Sequence, residues 1–345
     1  MDILRRIKKS LSFHINDKLF YHQWILGFSR TDIRSIIKTK QFDPDITWLH
    51  LDDLNENRAD PFLIRDGDNG YSVFYEKFFE NSLEGSIWHL RLNDQLEVIS
   101  DDLLMSPDHH ISYPFIFNEN GTIYIIPETA SNSRLSVYEY NRVERSLQFR
   151  KHILDIPILD ATFLKTDNKY WLFGVRKNNE SDHHYESWVY TANDLLGEYT
   201  PHPMCPVKKG LKGTRAAGNF IEVDGTFYRP TQNCEEEYGK SIILYKIDEL
   251  TPSQVSETDH MSIALGGNGQ NAKIKRIHTI NVADGLMVVD GVKRTFSLRK
   301  PYLQFRNWMR SVASSLSFIF FQCTVDAWEW AVYESVCEME MLYVI

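Results

Sequence analysis

One unit recurs five times along the chain, and it constrains the fold more than any other feature of the sequence. "ADPFLIRDGDNGYSVFYE" starts near Asp60, "SYPFIFNENGTIYIIPE" near Ser112, "DATFLKTDNKYWLFGV" at Asp160, "AAGNFIEVDGTFYRPTQ" at Ala216 and "IHTINVADGLMVVDG" at Ile277. Each reads as a polar opening residue, a short apolar run, a turn rich in Asp, Asn or Gly, and a second apolar run. Asp-Gly and Asn-Gly turns between apolar runs are hairpin signals. The starts lie roughly 45–65 residues apart, the scale of a four-stranded propeller blade. Further strand pairs such as "SIWHLRLNDQLEVIS" and "RLSVYEYNRVERSLQFRKHIL" fall between them. The expected fold is therefore all-β: a five-bladed β-propeller over residues 46–298, with short helical N- and C-terminal extensions. A β-sandwich is the competing all-β architecture, but it would not repeat this unit five times.

The flanks depart from the pattern. Residues 1–45 read as a helical, basic lead-in, because "DILRRIKKSLSF" puts Ile3, Ile7 and Leu11 on one helical face and its basic residues on the other. The first reading is a helix packed on the main domain. The second is an amphipathic helix making peripheral contact with an anionic membrane. Residues 299–345 read as a helical apolar tail. Its run Val312 to Val325 is too short for a normal membrane span. The N-terminus has no long apolar stretch of the kind a signal peptide needs.

A net charge of -9 argues against a nucleic-acid partner. Aromatic residues make up 13% of the chain, which suits sheets and sugar-facing surfaces. The four cysteines, Cys205, Cys234, Cys323 and Cys337, include no CxxC pair. A reduced, cytoplasmic setting is the expectation, with membrane association through the termini as the second reading.

In a propeller the first strand of each blade lines the central channel, so residues that open those strands converge at one mouth. The opening residues are Asp60, Tyr113 with Pro114, Asp160, the stretch from Arg215 to Gly218, and His278. The ends of the second strands add Glu76, Glu128, Arg229 and Gln232. Asp60, Glu128 and Asp160 are the catalytic candidates, since a pair of carboxyl groups is the minimal machinery for glycosidic chemistry. Glu76, His110, Tyr113, Arg215, Arg229, Gln232, Tyr238 and His278 are the substrate-binding candidates. Each also has a plainer reading: an Asp before Pro caps turns, a strand His is commonly a satisfied core residue, and Arg229 could serve a structural ion pair. Tyr75, Trp88, Trp171 and Trp188 read as blade-packing aromatics. The acidic run "CEEEYG" reads as a solvated loop that Tyr238 and Gly239 order over the mouth. His109-His110 and His183-His184 lack a third ligand at a telling spacing, so no metal is expected. With no P-loop, dinucleotide-binding glycine fingerprint or GxSxG elbow, and no strand-to-helix context for "GGNGQN", no cofactor is expected either.

Taken together, "RADPFLI", "HISYPFIFNENGTIYIIPETA", "LDATFLKTDNKYWLFG", "YRPTQNCEEEYGKSIILYKIDEL" and "RIHTIN" resemble the five-bladed propeller domain at the N-terminus of glucosamine inositolphosphorylceramide transferases. That domain also occurs in bacterial surface-glycan proteins and is similar in architecture to family 43 glycoside hydrolases. The resemblance runs from about residue 46 to 298 and implies a carbohydrate-facing channel mouth. Family 43 hydrolases use a base Asp in the first blade, a second Asp that tunes pKa and an acid Glu. By position Asp60 matches the first and Asp160 the second. The hydrolases' Glu-Gly-Pro type motif is missing, and Glu128, in a different blade, is the nearest candidate for the acid. The separate glycosyltransferase domain of the plant-type proteins does not fit in the residues after 298. The resemblance implies a carbohydrate-active propeller in cell-surface glycan or glycolipid biosynthesis, aiding or performing glycosyl transfer. Its partners would be a carbohydrate or glycolipid substrate and a nucleotide sugar. The alternatives are an inverting glycoside hydrolase with Asp60 as base, and a non-catalytic sugar-binding module.

Overall fold

The computed structural model describes residues 19–67, 70–80, 82, 84–167, 169–177, 185–265 and 273–297. The basic helix expected at the start of the chain, the apolar tail, His183-His184, "GGNGQN", Cys323 and Cys337 lie outside the described residues. Five antiparallel sheets make five blades. Blade I is Glu56–Arg65, Tyr71–Phe79, Ser86–Leu92 and Val98–Met105. Blade II is Ser112–Glu119, Thr122–Glu128, Leu135–Asn141 and Ser146–Leu154. Blade III runs Leu159–Thr166, Lys169–Lys177 and Tyr185–Ala192, with Thr200–Pro201 and Lys208–Lys209 on its outer edge. In blade IV the first strand is split into Lys212–Ala216 and Ile221–Val223, followed by Thr226–Asn233, Ser241–Leu250 and Val255–Ile263. Each expected unit supplies the two inner strands of one blade.

Blade V draws on both ends of the sequence. Ile280–Ala283 is innermost, Leu286–Phe296 lies next to it, and Phe20–Ser29 and then Thr47–Trp48 complete the sheet. This corrects the expected boundary at residue 46. The strand Phe20–Ser29 belongs to the propeller, because its apolar residues are buried in the ring: Leu26 and Phe28 pack with Val73 and Leu90 of blade I and Val288 of blade V. The α-helix Ile33–Thr39 also falls in that segment. Asp32 caps its start by accepting the Arg34 N–H, and Lys40 ends it in a left-handed conformation. Its buried residues Ile33, Ile36 and Ile37 pack with Ile242 and Leu244 of blade IV and Ile280 and Val289 of blade V. Residues 23–292 form one compact unit; residues 19–22 and 293–297 are the described parts of a second. In that second unit the Phe20 and Phe296 rings meet edge to face and Ser297 N–H donates to Leu19 O.

The blades pack through apolar side chains from adjoining sheets. Phe62 of blade I meets Tyr113 and Phe115 of blade II, and Phe115 meets Phe163 of blade III. Of the expected packing aromatics, Tyr75 and Trp171 are buried, while Trp88 and Trp188 are half-buried.

Candidate active site

The candidate site is built around a kink repeated in four of the blades. The pairing of the two inner strands slips between Ala59 and Phe62 in blade I, Ser112 and Phe115 in blade II, Leu159 and Thr162 in blade III, and Lys212 and Ala216 in blade IV. In the first three blades the residue inside the slip has positive φ: Asp60 at 50°, Tyr113 at 42° and Asp160 at 49°. Such a bulge re-aims a side chain, and a non-glycine residue there needs neighbours that hold it. For two of the three, a carboxylate on the second strand of the preceding blade does so. Asp290 Oδ2 accepts the Asp60 N–H at 3.0 Å, and Glu128 Oε2 accepts the Asp160 N–H at 3.0 Å.

A cavity of about 350 Å3 opens at this level of the ring, lined by Asp60, Glu76, His110, Glu128, Arg215, Tyr238 and His278 together with Trp24, Ala59, Phe78, Ser112 and Leu159. Seven of the eleven candidate residues thus line it. Asp160 lies just behind, 2% exposed, and grips the Arg215 guanidinium with both oxygens, at 2.6 Å from Nε and 3.0 Å from Nη2. The other three candidates hold the scaffold. The Tyr113 hydroxyl accepts the Gly218 N–H from blade IV at 3.0 Å and bonds Thr162 at 2.9 Å, tying three blades together. Arg229 is fully buried against Glu257 and the Gly213 carbonyl, the structural ion pair of its plainer reading. Gln232 donates to the Ala216 carbonyl at 2.9 Å and so fastens the blade IV slip.

The acids are 6% (Asp60), 6% (Glu76) and 7% (Glu128) exposed. Burial lifts Asp60 to about 6; the nearby His278 opposes the rise, and Asp290 and Asp160 add to it. Burial also lifts Glu128, to about 8, with the Asp160 charge adding and Arg215 opposing. Glu76 is pushed well above the ordinary carboxyl range, by burial first and then by the charges of Asp60, Glu128 and Asp290. At the rim His110 Nδ1 accepts the Gly85 N–H at 3.0 Å, so its Nε2 carries the hydrogen and faces Glu76 Oε1 at 3.7 Å.

Aromatic rings wall the other side. Trp24 stacks on His278 with centroids 4.0 Å apart, and Tyr238 stands edge-on to both rings, at 6.4 and 5.4 Å. Tyr238 is 42% exposed, and its loop is anchored by the hydrogen bond from Ile277 N to Gly239 O. The acidic run thus contributes one ring to the cavity lining.

Sequence reasoning missed Trp24 and Asp290. Trp24 lies in the segment taken for a lead-in. The "VVDG" around Asp290 looks like one more Asp-Gly turn but is the middle of a strand. Ligand atoms of Asp60, His278 and Asp290 lie within 4.8 Å of one another, a spacing a metal ion could bridge. The Asp290 oxygens are already taken, however: Oδ1 accepts the N–H groups of His278 and Thr279, and Oδ2 accepts those of Asp60 and the His278 ring. The donor set fits hydrogen bonding better than metal ligation.

Fold and site define a class: a five-bladed propeller with an acid-lined cavity. The family described as glucosamine inositolphosphorylceramide transferase 1, N-terminal, matches residues 53–288, and the chain belongs to that family. Among curated relatives, glucosamine inositolphosphorylceramide transferase 1 of Oryza sativa subsp. japonica is 28% identical over 276 residues, covering 74% of this chain and 36% of the relative. The protein of the same name from Arabidopsis thaliana is 31% identical over 225 residues, covering 62% and 28%. The chain spans about a third of the length of these relatives. Among solved structures, the family 117 glycoside hydrolase Zg3597 of Zobellia galactanivorans aligns with a TM-score of 0.48 at 11% identity over 70% of this chain and 85% of the other. Sucrose-6-phosphate hydrolase of Lactobacillus gasseri aligns with a TM-score of 0.48 at 12% identity over 66% and 51%.

Proposed function

We propose that the cavity holds one sugar unit of a glycan or glycolipid and that its carboxyl groups act as acid and base at a glycosidic bond, the overall reaction being glycosyl transfer in cell-surface glycan or glycolipid biosynthesis. The observation that carries this reading is the pair Asp60 and Glu128 in one cavity, with proton affinities set apart at about 6 and about 8. Carboxyl groups whose environments separate them in this way suit opposite roles. Between those values Asp60 is a carboxylate and takes the proton of the incoming hydroxyl, while Glu128 still carries the proton that the leaving oxygen needs. Asp160 supports both roles by fixing Arg215 and keeping Glu128 protonated. Two Arg215 N–H groups serve Asp160, which leaves the rest of its fork for sugar hydroxyls. The half-exposed Tyr238 ring offers a face for the apolar side of a sugar. The volume is at the small end for ligand pockets, in keeping with a single unit. The name carried by the relatives supports a sugar-bearing ceramide as substrate class. A nucleotide-sugar donor and a cytoplasmic setting belong to the same proposal. With water as acceptor, the same pair would hydrolyse the bond, which is the second reading.

The test is turnover by the purified chain on glycosylinositolphosphorylceramides and aryl glycosides, with sugar binding followed separately by NMR. A plot of kcat/KM against pH should be bell-shaped, with limbs near about 6 and about 8. Asp60→Asn and Glu128→Gln should each lose roughly 10²–10⁴ in kcat while still binding sugar. Variants that turn over like the wild type would refute the site. Binding by a wild type that turns over nothing would favour the sugar-binding module instead.

A further inference from the structure

Asp290 is 0% exposed and is not among the cavity-lining residues, yet it organises two that are. Its Oδ1 accepts the backbone N–H groups of His278 at 3.1 Å and Thr279 at 2.9 Å. Its Oδ2 takes His278 Nδ1 at 2.6 Å and the Asp60 N–H at 3.0 Å. One carboxylate therefore holds an imidazole ring, the strand beneath that ring and the left-handed backbone of Asp60. A carboxylate only accepts, so His278 Nδ1 is the donor and carries a hydrogen. The Trp24 ring fixes the plane of the imidazole by stacking at 4.0 Å. With Nδ1 and the plane both set, Nε2 is turned to Asp60 Oδ1 at 3.6 Å, on the oxygen that also accepts the Thr279 hydroxyl at 2.8 Å.

We infer that Asp290 is a positioning residue: it clamps His278 through Nδ1 and Asp60 through its N–H, so that the imidazole holds the Asp60 carboxyl group ionised and aimed into the cavity. The inference rests on the proposed role of Asp60 as base. It explains how a carboxyl group this buried serves as a base. Burial works against a charged His278, but the charges of Asp290 and Asp60 and the Asp290 hydrogen bond outweigh it, and the imidazole is lifted above its ordinary value. Arg215 opposes from blade IV. The rings against His278, Trp24 and Tyr238, contribute no cation. The arrangement is a carboxylate, an imidazole and a second carboxylate in a row, with the first out of reach of substrate.

NMR of the full chain, with the His278 ring nitrogens resolved by 15N labelling, tests this without any substrate. In the wild type Nδ1 should be protonated throughout the accessible pH range, and the ring should titrate above an ordinary histidine. A bare Nδ1 with the hydrogen on Nε2 would overturn the inference. In Asp290→Asn the proton affinity of His278 should drop roughly tenfold or more, since the compensating charge is gone. An unchanged titration in a folded variant would equally overturn it. If the variant does not fold, the wild-type tautomer still decides. Where turnover is measurable, Asp290→Asn should move the acid limb of the pH profile, which a purely structural residue would leave in place. A wild type without turnover would count against the proposed function and leave the ring measurement intact.

Discussion

At the residue scale, the acids of the cavity give the protein an unusual pH response. An ordinary glutamate in an unfolded chain releases its proton near 4.5, whereas folded Glu128 keeps it up to about 8. Between those values the folded state binds more protons than the unfolded one, so stability falls as pH rises. Asp60 adds the same sign of dependence over a lower window, up to about 6. Stability from these groups is therefore full below the unfolded values and lost on the way to mild alkali. Glu128→Gln keeps an acceptor for the Asp160 N–H but has no proton to lose. Its melting temperature should fall less than that of the wild type between pH 5 and pH 8, and the variant should be the more stable of the two at pH 8. Differential scanning calorimetry at several pH values measures this directly. Parallel curves for the two proteins would mean that Glu128 ionises normally.

At the element scale, the slip between the two inner strands is what turns a blade into part of a site. Much of this was legible. Asp60 and Asp160 stand out because each opens a repeated unit, and each falls where the pairing of its strand slips. Glu76 and Glu128 were found because they end the partner runs, and pairing of Ala59 with Glu76 and Ser112 with Glu128 puts them at the same level as the slips. What a single sequence could not separate was direction. Arg229 and Gln232 sit in the same kind of strand as Glu128, but the irregular first strand of blade IV leaves them buried against Glu257 and the Ala216 carbonyl. That irregularity depends on Gly218, whose φ is 127° and whose missing Cβ would lie 2.0 Å from the Ile280 carbonyl oxygen. The neighbour is backbone of blade V, which also binds blade IV through Ile280 N–H to Ala217 O at 2.8 Å. Gly218→Ala should therefore destabilise by clearly more than the roughly 1–3 kcal/mol that a strained backbone conformation costs alone. Urea denaturation is the measurement, and a cost within that figure would show that the two blades can part to admit a methyl group.

At the scale of the whole molecule, the ring is closed by hydrogen bonding the strand Phe20–Ser29 to Leu286–Phe296. No local signal announces that pairing, since the two strands are far apart in sequence and the first stands outside the repeated units. For this reason the repeated unit marks only the inner strand pair of the closing blade, which has four strands. A chain trimmed to residues 46–298 would lose the third strand of blade V along with Trp24. It should show a molten state, with strand content by far-UV circular dichroism but neither a sharp thermal transition nor near-UV signal. A trimmed chain that melts cooperatively would mean that the ring stands without its clasp. The same closure sets when the site comes into being during synthesis. Trp24 is made before blades I to IV and must wait for His278 and Asp290, among the last residues of the propeller, before the stack and the clamp exist. Because protein synthesis is slow beside the collapse of local hairpins, blades I to IV can form as they emerge from the ribosome while the cavity stays without one wall. A nascent or broken chain therefore has carboxyl groups but no aligned base, and any reaction at this cavity would be reserved for molecules that have been read to the end of blade V.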